Sequence, residues 1–307
     1  MKVHRPLFWD EINLISILLY PLSLITFFYN IIKKISNKRN FKIKSICVGN
    51  LYIGGTGKTP LSIKINNILK KKYKTVFIKK KYSNQIDEQN ILRSHGDLIC
   101  LKNRDKALKI ATNRRYNVAI LDDGLQEKNL NYDISIACFN SSDGIGNSFL
   151  IPSGPLREDI SEIKNYDAVF LNGEKDNRKL LKYLKKINNN IKIFQAKYIP
   201  INLRSFNLKN HYLFFCGLGN PLEFERTLKK YKFKIKEKFI YPDHYNFSNS
   251  DITNLKILAK KKKLNIITTE KDFLRLSKKN RKNIKFLKID LSIKSFKNFT
   301  KFLIEKL

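Results

Sequence analysis

The 307-residue chain has few of the residues that build small cross-linked folds. Its cysteines, Cys47, Cys100, Cys138 and Cys216, lie far apart and include no Cys-x-x-Cys pair, which excludes a disulfide scaffold and a zinc ribbon. Each lies in an apolar run, as buried reduced thiols of a cytosolic protein do. Hydrophobic residues make up 42% of the chain, so it can bury a sizeable core and global disorder is excluded.

Acidic residues are scarce, with 26 Asp and Glu against 61 Lys and Arg, and the formal net charge is +35. Such a charge is typical of a protein with a polyanionic partner, either nucleic acid or an anionic membrane surface. The chain is also rich in Asn, Ile, Phe and Tyr and poor in Gly and Pro, a composition that A/T-rich codons produce. The charge alone therefore does not decide between a selected partner and codon drift.

Charged residues are absent from the segment 12–32 near the amino terminus. Acidic residues precede it and a basic cluster follows it, made of Lys33, Lys34, Lys38 and Arg39. A span requires about 20 apolar residues, so the length is sufficient, although Pro21 and several Ser, Thr and Asn argue against a clean span. No small-residue cleavage site follows, which argues against a removed signal peptide. A single span, a helix lying in the membrane interface and a buried core helix remain open.

Beyond residue 40 apolar runs alternate with Lys-rich helical stretches, a pattern that predicts a parallel sheet covered by helices. We expect a membrane-associated segment at 1–40, a P-loop NTPase-like domain at 41–205 and a smaller C-terminal α/β domain at 206–307. The predicted helices include 60–72 and 105–115. The predicted strands are 43–48, 75–78, 118–121, 134–139, 168–171, 191–196, 212–216, 264–268 and 284–289.

A glycine-rich stretch follows the first of these strands and leads into a helix that has Pro60 in its first turn. Glycines allow backbone N–H groups to surround phosphate oxygens, Lys58 would neutralise the β- and γ-phosphates, and the Thr59 hydroxyl would bind Mg²⁺. The strict phosphate-loop pattern has glycine where this chain has Tyr52, so the loop is a variant. The predicted nucleoside triphosphate site consists of Gly54, Gly55, Thr56, Gly57, Lys58 and Thr59.

Two adjacent carboxylates, Asp122 and Asp123, follow the apolar run 118–121. Ligands of open α/β sheets bind at the carboxyl ends of the strands, where these side chains would emerge. Adjacent carboxylates repel each other unless a cation lies near them, so we expect one or both to hold Mg²⁺.

These motifs, with others along nearly the whole chain, resemble the tetraacyldisaccharide 4'-kinase (lipid A 4'-kinase) family. The resemblance rests on motifs at 48–60, 122–126, 152–158, 215–221, 243–248 and 268–272, and on Pro6, Trp9 and the Pro-Leu-Ser at 21–23. It implies transfer of the γ-phosphoryl group of ATP, with Mg²⁺, to the 4'-hydroxyl of a tetraacylated glucosamine disaccharide 1-phosphate. The implied location is the cytoplasmic face of the bacterial inner membrane, whose anionic surface some of the Lys residues would favour.

The family uses an Asp–His pair in catalysis, and the resemblance assigns Asp87 and His244 to it. The family's Gly-Asp-Glu-Pro motif is not intact here, because 86–89 keeps Asp-Glu and 96–98 keeps Gly-Asp. Spacing favours Asp87, and Asp97 stays the alternative. Glu158, which follows Arg157, is a further candidate ligand of the metal.

Three functions compete for this sequence. The first is the lipid kinase, and the second is a membrane-associated P-loop ATPase or GTPase switch that acts on a protein partner. The third is nucleic-acid binding, which rests on charge alone and for which no recognised module is present. A switch needs no base for a sugar hydroxyl, so the motif at 243–245 favours the kinase. We expect neither nucleic acid nor an obligatory protein partner.

Overall fold

The computed structural model describes residues 6–35, 37–82, 86–142, 144–174, 177–219, 221–243 and 245–307. These form two compact units. The larger contains the described residues of Arg5–Lys81, His95–Lys197 and Leu291–Leu307, and the smaller contains those of Tyr82–Ser94 and Tyr198–Asp290.

The strands alternate with helices along most of the chain. In chain order the strands are β1 (Lys44–Gly49), β2 (Thr75–Lys80), β3 (Leu98–Leu101), β4 (Val118–Asp122), β5 (Ile134–Asn140), β6 (Ala168–Asn172), β7 (Lys192–Pro200), β8 (His211–Cys216), β9 (Lys234–Ile240), β10 (Asn265–Thr269), β11 (Ile284–Leu287) and β12 (Ile289–Ile293). The helices are α1 (Leu14–Lys34), α2 (Lys58–Leu69), α3 (Ile86–His95), α4 (Arg104–Asn113), α5 (Arg178–Ile187), α6 (Pro221–Lys230), α7 (Asn249–Lys261), α8 (Glu270–Arg275) and α9 (Phe296–Lys306).

Within the described residues the larger unit is built on an eight-stranded sheet in the order β12-β7-β6-β5-β1-β4-β2-β3. Every strand from β7 to β3 pairs with its neighbour in parallel. The carboxyl ends of β1 and β4, which carry the glycine-rich loop and Asp122, therefore open at the same edge.

Helices cover both faces of this sheet because alternate strand residues point to opposite sides. Val169 and Leu171 of β6 belong to the same apolar core as Leu184 of α5. Phe170, between them, points the other way and packs on Phe299 of α9, with ring centroids 5.8 Å apart. This two-sided burial explains why the strands are continuous apolar runs and not alternating ones.

The smaller unit holds a four-stranded parallel sheet in the order β11-β10-β8-β9. Phe215 of β8 packs with Leu255 of α7 on one face. Phe214 packs with Phe224 of α6 on the other, with ring centroids 5.7 Å apart. The smaller unit is therefore also a three-layer α/β structure, and the predicted fold class is confirmed.

The structure differs from the sequence prediction in three details. The run 284–289, predicted as one strand, is divided between β11 of the four-stranded sheet and β12 of the eight-stranded sheet. Strand β9 was not predicted, because at this sheet edge exposed and partly buried residues alternate and its sequence is rich in lysine. The units also divide the chain at other points than the predicted boundary near 205, since 82–94 is grouped with the smaller unit and 291–307 with the larger.

Candidate active site

The glycine-rich loop connects the carboxyl end of β1 to α2, which begins at Lys58. Gly57, directly before the helix, has φ +82°, and Gly54 has φ +146°, conformations that side chains disfavour. The hydroxyl of Thr56 is buried and has no hydrogen-bond partner among the described residues. An orphaned donor inside a loop of this conformation fits a phosphate ligand.

Tyr52 explains why this loop departs from the strict glycine pattern. Its side chain is buried, packs on Phe139 and accepts a hydrogen bond of 2.6 Å from the backbone N–H of Asn140 at the end of β5. The aromatic ring thus anchors the start of the loop to the adjacent strand. No motif of the sequence signalled this role.

Asp122 ends β4 at the sheet edge that carries the loop, and its side chain is fully buried. Its Oδ2 accepts hydrogen bonds from the Thr59 hydroxyl at 3.0 Å and from Lys79 Nζ at 2.7 Å. Its Oδ1 accepts from the hydroxyl of Ser62 at 3.2 Å. Thr59 and Asp122, both expected at the Mg²⁺ site, thus lie in contact, whereas no sequence motif signalled the part of Lys79.

Asp123 is partly exposed and has a left-handed backbone with φ +61°. Arg157 Nη1 lies 3.0 Å from its Oδ1, and Lys58 Nζ lies 3.8 Å from the same atom. Burial alone would raise the pKa of Asp123, but the positive charges of Lys58, Arg157 and Lys79 outweigh it and lower the pKa from 3.8 to about 2. Asp123 is therefore ionised throughout the neutral range and faces the loop lysine.

Glu158, the third predicted metal ligand, lies in a separate charged cluster of the larger unit. Its buried Oε2 accepts from Lys128 Nζ and from the Tyr166 hydroxyl, both at 3.0 Å. Lys128 also binds Glu162, which pairs in turn with Lys34 at the end of α1. These contacts engage one oxygen of the Glu158 carboxylate, and its role as a metal ligand stays a prediction.

The oxygen atoms around Thr59 are of the kind that Mg²⁺ binds in proteins. Mg²⁺ prefers oxygen ligands and in nucleotide sites is held by one or two protein groups together with the phosphates. The Thr59 hydroxyl and the carboxylate of Asp122 provide such a pair. Across the described ranges no group of three or more His, Cys, Asp or Glu is arranged to hold a metal ion without phosphates.

Asp87 lies in the first turn of α3, in the smaller unit, and is buried. Arg275 forms a short ion pair with its Oδ2, and Lys271 Nζ lies 3.4 Å from the same atom. Lys271 also approaches Asp243, at 3.4 Å. The motifs at 86–89, 243–248 and 268–272 thus meet within one unit, although His244 itself lies outside the described residues.

The alternative carboxylate, Asp97, occupies a different position. It immediately precedes β3, so it lies at the amino end of a strand parallel to β2, at the edge opposite the glycine-rich loop. Its side chain is exposed and accepts a hydrogen bond of 2.7 Å from the hydroxyl of Tyr116. This position gives Asp97 no access to a phosphate bound at the loop.

Helix α1 contacts the rest of the larger unit through a stripe of polar side chains. Ser23, Thr26 and Asn30 donate hydrogen bonds of 2.8, 2.7 and 2.9 Å to backbone carbonyls of the segment 150–157. The other sides of the helix are apolar and exposed, as at Leu18, Ile25 and Ile32. Only 11% of the most apolar 18-residue stretch of α1 is buried, so α1 is not a core helix.

Comparison with known proteins gives consistent matches over the full length. A family model described as tetraacyldisaccharide-1-P 4'-kinase matches residues 15–307. A tetraacyldisaccharide 4'-kinase of Pelagibacter ubique (strain HTCC1062) is 46% identical over 312 residues, covering 99% of this chain and 98% of that protein. The protein of the same name from Rickettsia canadensis (strain McKiel) is 35% identical over 313 residues, covering 95% and 94%.

Among solved structures, LpxK from Aquifex aeolicus, crystallised in complex with ATP, aligns with a TM-score of 0.73. The alignment covers 95% of this chain and 99% of that chain at 21% identity, which shows a shared fold. The family model and the relatives extend over nearly the whole sequence, and the resemblance predicted from the motifs is confirmed. The chain belongs to the tetraacyldisaccharide-1-P 4'-kinase family.

Proposed function

We propose that this protein transfers the γ-phosphoryl group of ATP to the 4'-hydroxyl of a tetraacylated glucosamine disaccharide 1-phosphate, a step of lipid A biosynthesis. Membership of the kinase family supports the reaction class. The observation that carries the proposal is the pairing of the Thr59 hydroxyl with the buried carboxylate of Asp122, 3.0 Å apart, beside Lys58 at the start of α2. A membrane-bound ATPase or GTPase switch is not favoured.

The larger unit supplies the groups that hold the phosphates. Gly57 and the first turn of α2 direct backbone N–H groups toward the loop, and Lys58 adds a positive charge. Thr59 and Asp122 would hold Mg²⁺, which when bound spreads the charge of the transferring phosphoryl group. Arg157 and Lys58 flank Asp123, so this carboxylate orients two cations that can turn to the phosphates.

Asp87 is the proposed base of the reaction. A sugar hydroxyl is a poor nucleophile at neutral pH and requires a group that accepts its proton. Arg275 and Lys271 lie against the carboxylate of Asp87 and hold it in place, and a positioned carboxylate can accept that proton. We assign the second member of the pair to His244 from the family resemblance.

Helix α1 is proposed to lie in the membrane interface at the cytoplasmic face and not to span the bilayer. Its polar stripe contacts the larger unit from Ser16, whose carbonyl accepts from Ser153, to Lys34, which pairs with Glu162. A spanning helix would have to leave these polar partners. The exposed apolar sides suit burial among acyl chains, where an acylated substrate also resides.

The basic cluster behind α1 contributes less to membrane binding than its four charges suggest. Lys34 forms an ion pair with Glu162, and Arg39 forms one with Asp105. These internal partners neutralise half of the cluster. We therefore expect apolar burial, more than charge, to hold the protein on the membrane.

Replacing Leu18, Ile25 and Ile32 together by glutamate is expected to release the protein from membranes. Burial of each of these side chains contributes about 1.5–3 kcal/mol, so binding to vesicles should weaken at least about 100-fold. Cosedimentation with vesicles of anionic and zwitterionic lipid measures the effect. Ile257→Glu, which changes an exposed isoleucine of the smaller unit, is the control. Unchanged binding of the triple variant, or release of the wild type by high salt alone, would contradict the interfacial role.

Topology separates an interfacial helix from a span. Cysteines introduced at Leu7, before α1, and at Lys164, in the larger unit, are both at exposed positions. An impermeant maleimide should label both in inverted inner-membrane vesicles and neither in right-side-out vesicles. Labelling of the two positions from opposite sides would show that α1 spans.

The function itself is tested by ATP turnover with and without the acylated disaccharide 1-phosphate. We expect ADP release by the purified, detergent-solubilised protein to rise saturably with the lipid. Turnover that is indifferent to this lipid would favour a switch and overturn the proposal.

A further inference from the structure

Lys79 is a buried lysine inside a sheet, directly beside the proposed phosphate site. It lies on β2, where its register partner on β4 is Asp122. The lysine side chain is 3% exposed and the aspartate side chain is fully buried, and Nζ lies 2.7 Å from Oδ2. The residues before it in β2, Val76, Phe77 and Ile78, are buried and apolar, which is what this strand position ordinarily requires. An ammonium group in such a place is costly unless a specific partner compensates its charge.

The oxygen that Lys79 binds is the one that also faces Thr59. Asp122 Oδ2 accepts from both Lys79 Nζ and the Thr59 hydroxyl, while Oδ1 accepts from Ser62. Both oxygens of the carboxylate are therefore engaged by groups of the protein. Without bound phosphates, a divalent ion that approached Asp122 would meet the ammonium group of Lys79 and be repelled by it.

The other two predicted metal ligands also lie beside positively charged side chains. Asp123 pairs with Arg157 and faces Lys58, and Glu158 pairs with Lys128. Each of the three predicted metal-ligand carboxylates thus lies beside a lysine or arginine side chain. The protein alone presents little net negative charge to Mg²⁺ at this edge of the sheet.

We propose that Lys79 is the built-in counter-cation of Asp122, and that it makes binding of the divalent ion depend on the nucleotide. This inference rests on the proposed function of the site. The phosphates of a bound nucleotide would supply the negative charge that the protein lacks, so the site would take the ion together with them. Thr59 and Asp122 would then hold the ion as proposed above, while Lys79 keeps the carboxylate in place.

The test is a titration of the full-length protein with Mn²⁺, followed by electron paramagnetic resonance, without lipid substrate. Nucleotide-free wild type is expected to bind Mn²⁺ weakly, and a non-hydrolysable ATP analogue should tighten binding strongly. Lys79→Met should bind Mn²⁺ without nucleotide at least about 10-fold more tightly than wild type, because the repelling charge is gone. Adding Asp122→Asn to this variant should abolish the gain.

Lys80→Met, which removes the neighbouring lysine whose acidic partner is Glu127, is the matched control and should leave Mn²⁺ affinity unchanged. Lys79→Gln, which retains a hydrogen-bond donor, is measured beside Lys79→Met in case the methionine variant does not fold. The inference is overturned if neither Lys79 variant gains affinity, or if nucleotide-free wild type binds Mn²⁺ as tightly as the nucleotide complex. Failure of the proposed kinase reaction is a separate result, because it appears as absent lipid phosphorylation by the wild type.

Discussion

Lys58→Ala is expected to lower kcat for lipid phosphorylation by about 10³-fold or more, the range found when a charge that stabilises a transferring phosphoryl group is removed. Lys58 is the first residue of α2 and follows Gly57, whose left-handed backbone turns the chain into the helix. No other lysine begins this helix, so the lost charge has no substitute in the loop. The variant should still fold, because the side chain lies partly exposed at the helix start and not in the core.

Lys64→Ala is the matched control for this change, because it removes a lysine from the same helix but not from the loop. Its Nζ lies over the ring of Phe296, 5.8 Å from the centroid. We expect kcat of this variant to stay near the wild-type value. Initial rates at saturating ATP and lipid, with circular dichroism as a check of folding, measure both variants. A near wild-type rate for Lys58→Ala would refute the assignment of the phosphate loop.

Asp87→Asn is expected to lower kcat by about 10²–10⁴-fold, the usual contribution of a general base. The amide is nearly isosteric with the carboxylate but cannot accept the proton. It also leaves the charges of Arg275 and Lys271 less compensated, so some loss of stability is expected as well. Urea unfolding should therefore accompany the rate measurement, and rates should be expressed per folded protein.

Asp97→Asn separates the two candidate carboxylates. This change affects an exposed side chain whose described partner is the Tyr116 hydroxyl, at the opposite edge of the sheet from the loop. We expect activity close to that of the wild type. If Asp97→Asn abolishes transfer and Asp87→Asn does not, the assignment of the base is wrong.

Features that depend on neighbouring residues were predictable from the sequence. Buried parallel strands need continuous apolar runs, and a phosphate loop needs its glycines, Lys58 and Thr59 in fixed succession. The carboxyl-end position of Asp122 followed from the same pattern, because ligand sites of such sheets lie at that edge. These parts of the fold and of the site could therefore be predicted from the sequence.

Features that depend on distant pairings could not be predicted in this way. Tyr52 looked like a defect of the loop pattern, yet its hydroxyl bonds to Asn140, 88 residues away. Lys79 looked like one more lysine of a basic chain until its strand register placed it against Asp122. Glu158 followed the right motif, but Lys128 and Tyr166 engage its carboxylate. Only the three-dimensional pairing of strands and loops reveals such contacts.

The polar residues of α1 illustrate the same limit. In the sequence, Ser23, Thr26 and Asn30 argued only against a clean membrane span. In the structure they donate to carbonyls more than 120 residues away, and so they hold the helix along the larger unit with its apolar sides exposed. These hydrogen bonds satisfy the polar side chains of α1 while the helix lies along the protein surface.

The most direct test of the central claim is the position of the transferred phosphate. Purified protein is incubated with γ-³²P-labelled ATP, Mg²⁺ and the tetraacylated disaccharide 1-phosphate, and in parallel with an analogue that lacks the 4'-hydroxyl. We predict label in the lipid product at the 4' position and no labelled product from the analogue. Label in the analogue, or ATP hydrolysis without any labelled lipid, would contradict the account.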